Sequence, residues 1–175
     1  NNKISKKNWI YQLLKRLDTL IFILFSSFSL SLSAQNLDTD SLIKALPLAK
    51  ELDRLFILNE LGTNLRENDQ DLALEYLFEA EKIAIARADP RAESKSKENI
   101  SWIYYRRGQW QRSFEYAEAA YRLALESSSF LEAAKVLNNM GALFYEQQNY
   151  GMAILKFKEA YNLSLKYGDI YTQIR

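Results

Sequence analysis

Few side chains in this sequence have types and spacings that invite a chemical reading. Acidic pairs recur at Glu79/Glu81 and Glu115/Glu118, the residue type that general acid–base chemistry uses. Lysines and arginines flank both pairs, so a solvated helix face with i,i+4 partners accounts for them. Arg106-Arg107, Trp110 and Arg112 form a small basic-aromatic cluster. Cations in the last turn of a helix suit its dipole, and that accounts for Arg106 and Arg107. The 175 residues include no histidine and no cysteine. The commonest general base, the thiol nucleophile and most zinc or iron–sulfur ligation are therefore missing. No glycine-rich phosphate loop or metal-ligand cluster is visible either. The expectation is a non-enzyme with no catalytic, cofactor or metal residue.

Recognition is the chemistry that remains, and the elements that would position it are helical. Glycine (5) and proline (2) are scarce, as in helices joined by short connections. Five of the 23 basic residues and one of the 22 acidic residues fall in the first 34 positions. The remainder thus holds 18 basic and 21 acidic residues, a net charge of −3. A mildly acidic body gives no electrostatic reason to expect nucleic acid as a partner.

The first 34 residues read as an address. Lys3, Lys6, Lys7, Lys15 and Arg16 precede an apolar run of 13 residues, Leu20 to Leu32, closed by Ser33-Ala34. A positive start, a short apolar stretch and small residues at its end make a secretory signal peptide. Cleavage fits the Ser31-Leu32-Ser33 pattern, with a cut after Ala34 as the alternative. A membrane span wants about 20 apolar residues, and an uncleaved anchor over Leu17–Leu32 is the competing reading. Without cysteine, a lipoprotein anchor is excluded. The expected location is exported, on the periplasmic or extracytoplasmic side of a bacterial membrane.

A repeat of about 40 residues runs through the rest. Leu61-Gly62-Thr63-Asn64-Leu65 aligns with Ile100-Ser101-Trp102-Ile103-Tyr104 and with Met140-Gly141-Ala142-Leu143-Phe144. Ala73/Ser113/Ala153, Leu77/Ala117/Phe157 and Ala80/Ala120/Ala160 are each spaced by 40. Gly62 to Ser101 is 39 residues, which predicts an inner turn one residue shorter in the first hairpin. Leu137, Met140, Gly141 and Phe144 follow helical i, i+3, i+4, i+7 spacing. The spacing predicts helices near 49–67, 71–88, 91–107, 111–127, 130–147 and 151–167, with a short one near 39–46. Gly168 falls where a left-handed helix cap is expected. The domain reading is a signal peptide (1–34), a linker with a short helix (35–48), and hairpins at 49–90, 91–129 and 130–169. Residues 170–175 match Phe130 to Lys135 and read as the start of a truncated fourth repeat. Together with a first residue that is not methionine, this reads as a fragment of a longer protein.

These residues resemble the tetratricopeptide repeat, whose signature is W-x2-L-G-x2-Y followed by A-x3-F. The third unit matches best, with Leu137, Met140, Gly141 and Phe144, then Ala153, Phe157 and Ala160. The second departs most, with Lys97, Ser101 and Ala117 at signature positions. The period of 40 exceeds the usual 34, implying longer helices. The resemblance implies an all-α solenoid of antiparallel helix hairpins, with three complete repeats. It also implies a protein or peptide ligand in the groove of a superhelix, lined by the first helix of each hairpin. The groove positions it gives are Asn59, Thr63 and Arg66, then Lys95, Asn99, Trp102, Tyr105 and Arg106, then Lys135, Asn138, Asn139, Tyr145 and Glu146. Asparagine amides can pair with an extended peptide backbone, and aromatics give contact area at low entropy cost. For Asn99 and Asn139, packing between neighbouring hairpins is an equally open reading. Trp102 is the sharper candidate, because a bulky aromatic occupies a usually polar position. A carboxylate clamp of the kind some family members carry is not expected. Of its matching positions (Asn59, Thr63, Asn99, Lys135, Asn139), only Asn99 and Lys135 keep the required type.

The layout is also similar to exported tetratricopeptide segments of bacterial sensor proteins, which precede a membrane helix and a histidine kinase or DNA-binding output. A free periplasmic or secreted adaptor is the alternative, and a self-associating homodimer module is a third. Membrane contact is expected only through the export signal or a span beyond this sequence.

Overall fold

The computed structural model describes residues 38–168, which are almost entirely helical. The expected signal peptide and the start of a fourth repeat lie outside the described residues. A short helix α1 (Thr39–Ala45) runs into a 3-10 turn, Leu46–Leu48, around Pro47. Six longer helices follow: α2 (Glu51–Leu65), α3 (Gln70–Ala86), α4 (Pro90–Arg106), α5 (Trp110–Glu126), α6 (Phe130–Glu146) and α7 (Tyr150–Tyr167). Each lies within two residues of the span read from spacing. Among the described residues there is no strand, and no helix is long and apolar enough to cross a membrane.

The junctions explain the even pacing. Helices α3 to α6 each have 17 residues, and each ends with one residue in the left-handed region. These are Ala88 (φ 50°), Gly108 (φ 68°), Ser128 (φ 55°) and Gln148 (φ 59°). The next residue donates its N–H back to the helix's third-last carbonyl: Asp89 to Ala84, Gln109 to Tyr104, Ser129 to Ala124 and Asn149 to Phe144. That pairing, with the shorter bond inside it, is a Schellman cap. The same residue then starts the following helix. Asp89 and Asn149 also accept from the N–H three residues on, at 3.0 and 3.3 Å, which satisfies a donor that the helix start leaves unpaired.

Two expectations about the connections are corrected. Gly168 is extended (φ −87°, ψ 151°), not left-handed; its N–H still reaches Ser164 O at 2.7 Å. The first inner turn is not the shortened part. Helix α2 stops at Leu65 after 15 residues, and the connection 66–69 is longer than the 107–109 and 147–149 turns. The missing residue comes out of the helix end.

Successive helices run antiparallel. Arg54 meets Glu79 while Gly62 meets Leu77 across α2 and α3. Ser94 meets Ala120 while Ser101 meets Ser113 across α4 and α5. Each long helix packs on the next, and α2 also touches α4, as α4 touches α6. Among the described residues, the backbones of α3 and α5 do not come within 8 Å of each other, Cα to Cα, nor do those of α5 and α7. The first helices of the three hairpins thus form the closer row, and the second helices stand apart.

Small residues make the crossings possible. A Cβ added at Gly62 would lie 2.3 Å from Leu77 Cγ, and one at Gly141 would lie 2.6 Å from the Phe157 ring. Ala73, Ala80, Ala120, Ala153 and Ala160 are buried on the facing helices, as the forty-residue spacing requires. The apolar core is distributed: Leu77 packs with Ile100 and Ile103 between the first two hairpins, and Ala117 and Ala120 with Val136 and Leu137 between the second and third.

Candidate functional site

The site expected from sequence lies on the close row α2, α4 and α6, and polar side chains hold that row together. Helix α4 is central, touching α2, α3, α5 and α6. Five of its eight buried residues are polar: Ser94, Ser96, Glu98, Asn99 and Ser101. Its first half has little apolar content, so burial there relies on hydrogen bonds, which buried polar groups require. No buried side-chain nitrogen or oxygen among the described residues lacks a partner.

Between α2 and α4, Ser96 Oγ donates to Asn59 Oδ1 at 2.9 Å. Lys95 pairs with Glu60. Arg66 donates to Asn99 Oδ1 at 2.8 Å and lies 3.7 Å from Glu98. Between α4 and α6, Asn139 Nδ2 donates to Glu98 Oε1 at 2.7 Å, and Tyr105 Oη donates to Glu146 at 3.3 Å. The partners lie 33 to 41 residues apart, so one helical row reads its neighbour nearly in step.

This placement corrects part of the expected groove. Asn59 and Asn99 are buried and spend their amides on Ser96, Arg66 and the Lys95 carbonyl. They bridge neighbouring helices and are not offered at the surface. Asn139 is half-buried and does the same for Glu98. Trp102 is also half-buried. Its indole N–H donates to Glu67, Tyr105 lies 5.3 Å away ring to ring, and Arg66 sits over its face at 5.5 Å. Arg106 reaches Glu67 at 3.6 Å. Arg106 of α4 and Glu146 of α6 are exposed, and α6 adds a further exposed group. Lys135, Asn138 and Tyr145 occupy one stripe and are open to solvent, with Lys135 paired to Glu132 of its own helix. Thr63 turns its hydroxyl to its own helix, at the Asn59 carbonyl.

Burial of Glu98 pushes its carboxyl above the ordinary range, against the lowering pull of Arg66 and Asn139. Burial also raises Tyr105, and the nearby Glu146 carboxylate adds to it. On the other side of α4, Lys97 sits between Glu81 and Glu93. Burial works to lower its pKa, but the two carboxylates outweigh that and raise it. Glu81 is therefore an interior partner, which corrects its reading as a solvated acid.

Glu98, Ser94 and Ser96 were missed by motif reasoning, and Ser101 was read only as a small residue. The available signal was a helix with Ser94, Ser96 and Ser101 on positions that its neighbours fill with apolar or small residues. No protein-family model and no curated protein matches this chain.

Proposed function

We propose that this chain is a tetratricopeptide-type α-solenoid that binds a protein or peptide along the row α2, α4, α6. The observation that carries the reading is the exposed stripe Lys135, Asn138 and Tyr145 on α6, together with the Trp102–Tyr105 aromatic pair of α4, which Tyr105 ties to Glu146 of α6. Amides and a phenol on a rigid helix face offer backbone hydrogen bonds and contact area to an extended segment. The forty-residue recurrence, the antiparallel crossings at small residues and the closer spacing of the first helices support the repeat assignment. Such spacing makes the first helices the inner, concave side of a curved stack. With the basic, apolar leader, the reading extends to a scaffold outside the cytoplasm. The part it would play there is the sensory segment of a membrane signalling protein.

Selection of short random peptides against the full chain tests the binding face. Selected binders are expected to weaken by about tenfold in Asn138→Ala and Tyr145→Ala, the loss of roughly 1.4 kcal/mol that a hot spot gives. Glu118→Ala, on a second helix, is expected to leave binding unchanged. Binders indifferent to both α6 substitutions would end the groove reading. Fusing residues 1–34 to a reporter active only after export tests the leader.

A further inference from the structure

Glu98 is a buried carboxyl group at the middle of the row, where three helices meet. Asn139 of α6 donates to its Oε1 at 2.7 Å. Arg66 of α2 stands 3.7 Å away, and its Nη1 gives a hydrogen bond to the uncharged Asn99 Oδ1 at 2.8 Å. An ionised carboxylate at this depth would hold the guanidinium at hydrogen-bond distance, where a charge-assisted pair is strong. The arrangement is the one that suits a neutral carboxyl. The same nitrogen faces acceptors on adjacent residues of α4, so approach to Glu98 is retreat from Asn99. The guanidinium also lies over the Trp102 ring at 5.5 Å, which ties its position to the aromatic pair of α4.

The repeat shows that packing does not require an acid here. Position 98 corresponds to 59 and 138, and both are asparagine. Asn59 is buried too, and it bonds across the row to Ser96. An amide serves this place in the first hairpin; what a carboxyl adds is a proton that it can lose. We propose that Glu98 and Arg66 form a proton-operated switch: ionisation of Glu98 draws the guanidinium away from Asn99 and off Trp102, and proton uptake returns it. A two-position element biased by one charge is what such a device needs. Burial favours the neutral form, so the switch works above the ordinary carboxylate value of 4.5. Arg66 faces Glu98 from α2, and Glu132, Lys135 and Asn139 face it from α6. On α4 itself Lys95 is paired with Glu60 of α2. Helices α3 and α5 turn Glu81 and Tyr116 toward Lys97, on another side of α4. The switch stands without a ligand; any effect on a bound peptide rests on the groove reading above.

Trp102 reports the arm. The full chain has three tryptophans, and Trp9→Phe with Trp110→Phe leaves Trp102 alone. Its emission is expected to follow a one-proton transition centred above pH 4.5, within the range where circular dichroism shows the helices intact. Glu98→Gln, which fixes the neutral state, should remove the transition and hold the low-pH emission throughout. Arg66→Gln should remove it as well, because the arm is gone. Glu67→Gln takes away the acceptor of the indole N–H; it should change the emission at every pH and keep the transition. A transition that persists in Glu98→Gln would place the proton elsewhere, on Glu67 if Glu67→Gln removes it, and would overturn the proposal. So would a transition that survives Arg66→Gln, or a flat titration of the folded chain. No peptide takes part, so these outcomes are independent of whether the groove reading holds.

Discussion

The second and third hairpins cross at equivalent positions with different chemistry. In the third, Gly141 leaves a hollow and Phe157 fills it. In the second, Ser101 and Ala117 take those places, and the crossing is tied by hydrogen bonds. Ser101 Oγ donates to the Ser113 carbonyl at 2.8 Å, and Ser113 Oγ returns a bond to the Ser101 carbonyl at 2.9 Å. Seven residues before Ser101, Ser94 repeats the device by bonding the Ala120 carbonyl at 2.8 Å. One backbone geometry is thus stabilised either by an aromatic knob against glycine or by paired serines. The first hairpin uses the knob with leucine, Gly62 against Leu77. Close approach of the backbones is the shared requirement, and the filling is negotiable within it.

The largest expected effect comes from filling a hollow. Gly62→Val drives a side chain into fully buried Leu77 and should cost about 3 kcal/mol or more by chemical denaturation. Gly141→Val should cost less, because Phe157 has open solvent to swing toward. Equal losses would show that the two crossings are equally rigid.

Exchanging the chemistries sharpens the comparison. Gly141→Ser combined with Phe157→Ala gives the third hairpin the Ser/Ala pair of the second. The double variant should recover about 1 kcal/mol or more relative to the sum of the single losses, the size of coupling seen for residues in contact. Simple additivity in denaturation midpoints would mean that the hollow and the knob are independent. In the second hairpin, Ser101→Val leaves the Ser113 carbonyl without its donor and crowds the crossing, for a loss of about 1–3 kcal/mol.

A moderate effect distinguishes the row around α4 by pH. The folded state raises the pKa of Glu98 through burial. Its favourable contribution is then complete below the unfolded value near 4.5 and is lost as pH rises through the folded value. Arg66 faces it from the end of α2, and Glu132, Lys135 and Asn139 face it from α6. Glu98→Gln should raise the melting temperature by about 2–4 °C at pH 7 and by little or nothing at pH 4. A gain of the same size at both values would assign the effect to packing.

The smallest effects lie in the turns. Replacing Ala88, Ser128 or Gln148 by glycine removes the strain of a left-handed backbone and should stabilise by about 1 kcal/mol each. Gly108→Ala should lose a similar amount. A destabilised Ser128→Gly would show that the side chain does more at that turn than strain it.

Much of this was legible in the sequence because the repeat multiplies each signal. Three copies of the small residue at 62, 101 and 141 fix the crossing, and helix spans follow from spacing alone. The left-handed residues were less legible, since only Gly108 advertises its conformation; alanine, serine and glutamine at the other three turns do not. The residues expected to line a groove do fall on helices that pack as one row, but not all of them reach its surface. Asn59 and Asn99 have the types that contact ligands, but whether an amide faces solvent or a neighbouring helix depends on how closely the hairpins approach. That distance is set by Ser96, Arg66 and Glu98 together, and no single segment encodes it.

At four successive junctions, one residue both closes a helix and opens the next. Left-handed residues therefore fall at 88, 108, 128 and 148, a beat of twenty residues that disregards the inner and outer character of the helices. A chain paced this way has little slack inside its helices, although the first hairpin takes up a one-residue difference at the end of α2. One added residue inside a helix turns everything beyond it by about 100°, the angle of one step at 3.6 residues per turn, and detaches the serines and glycines from their counterparts. Change in such a lineage is tolerated in whole beats, so the number of helices should vary among descendants far more readily than the length of any one.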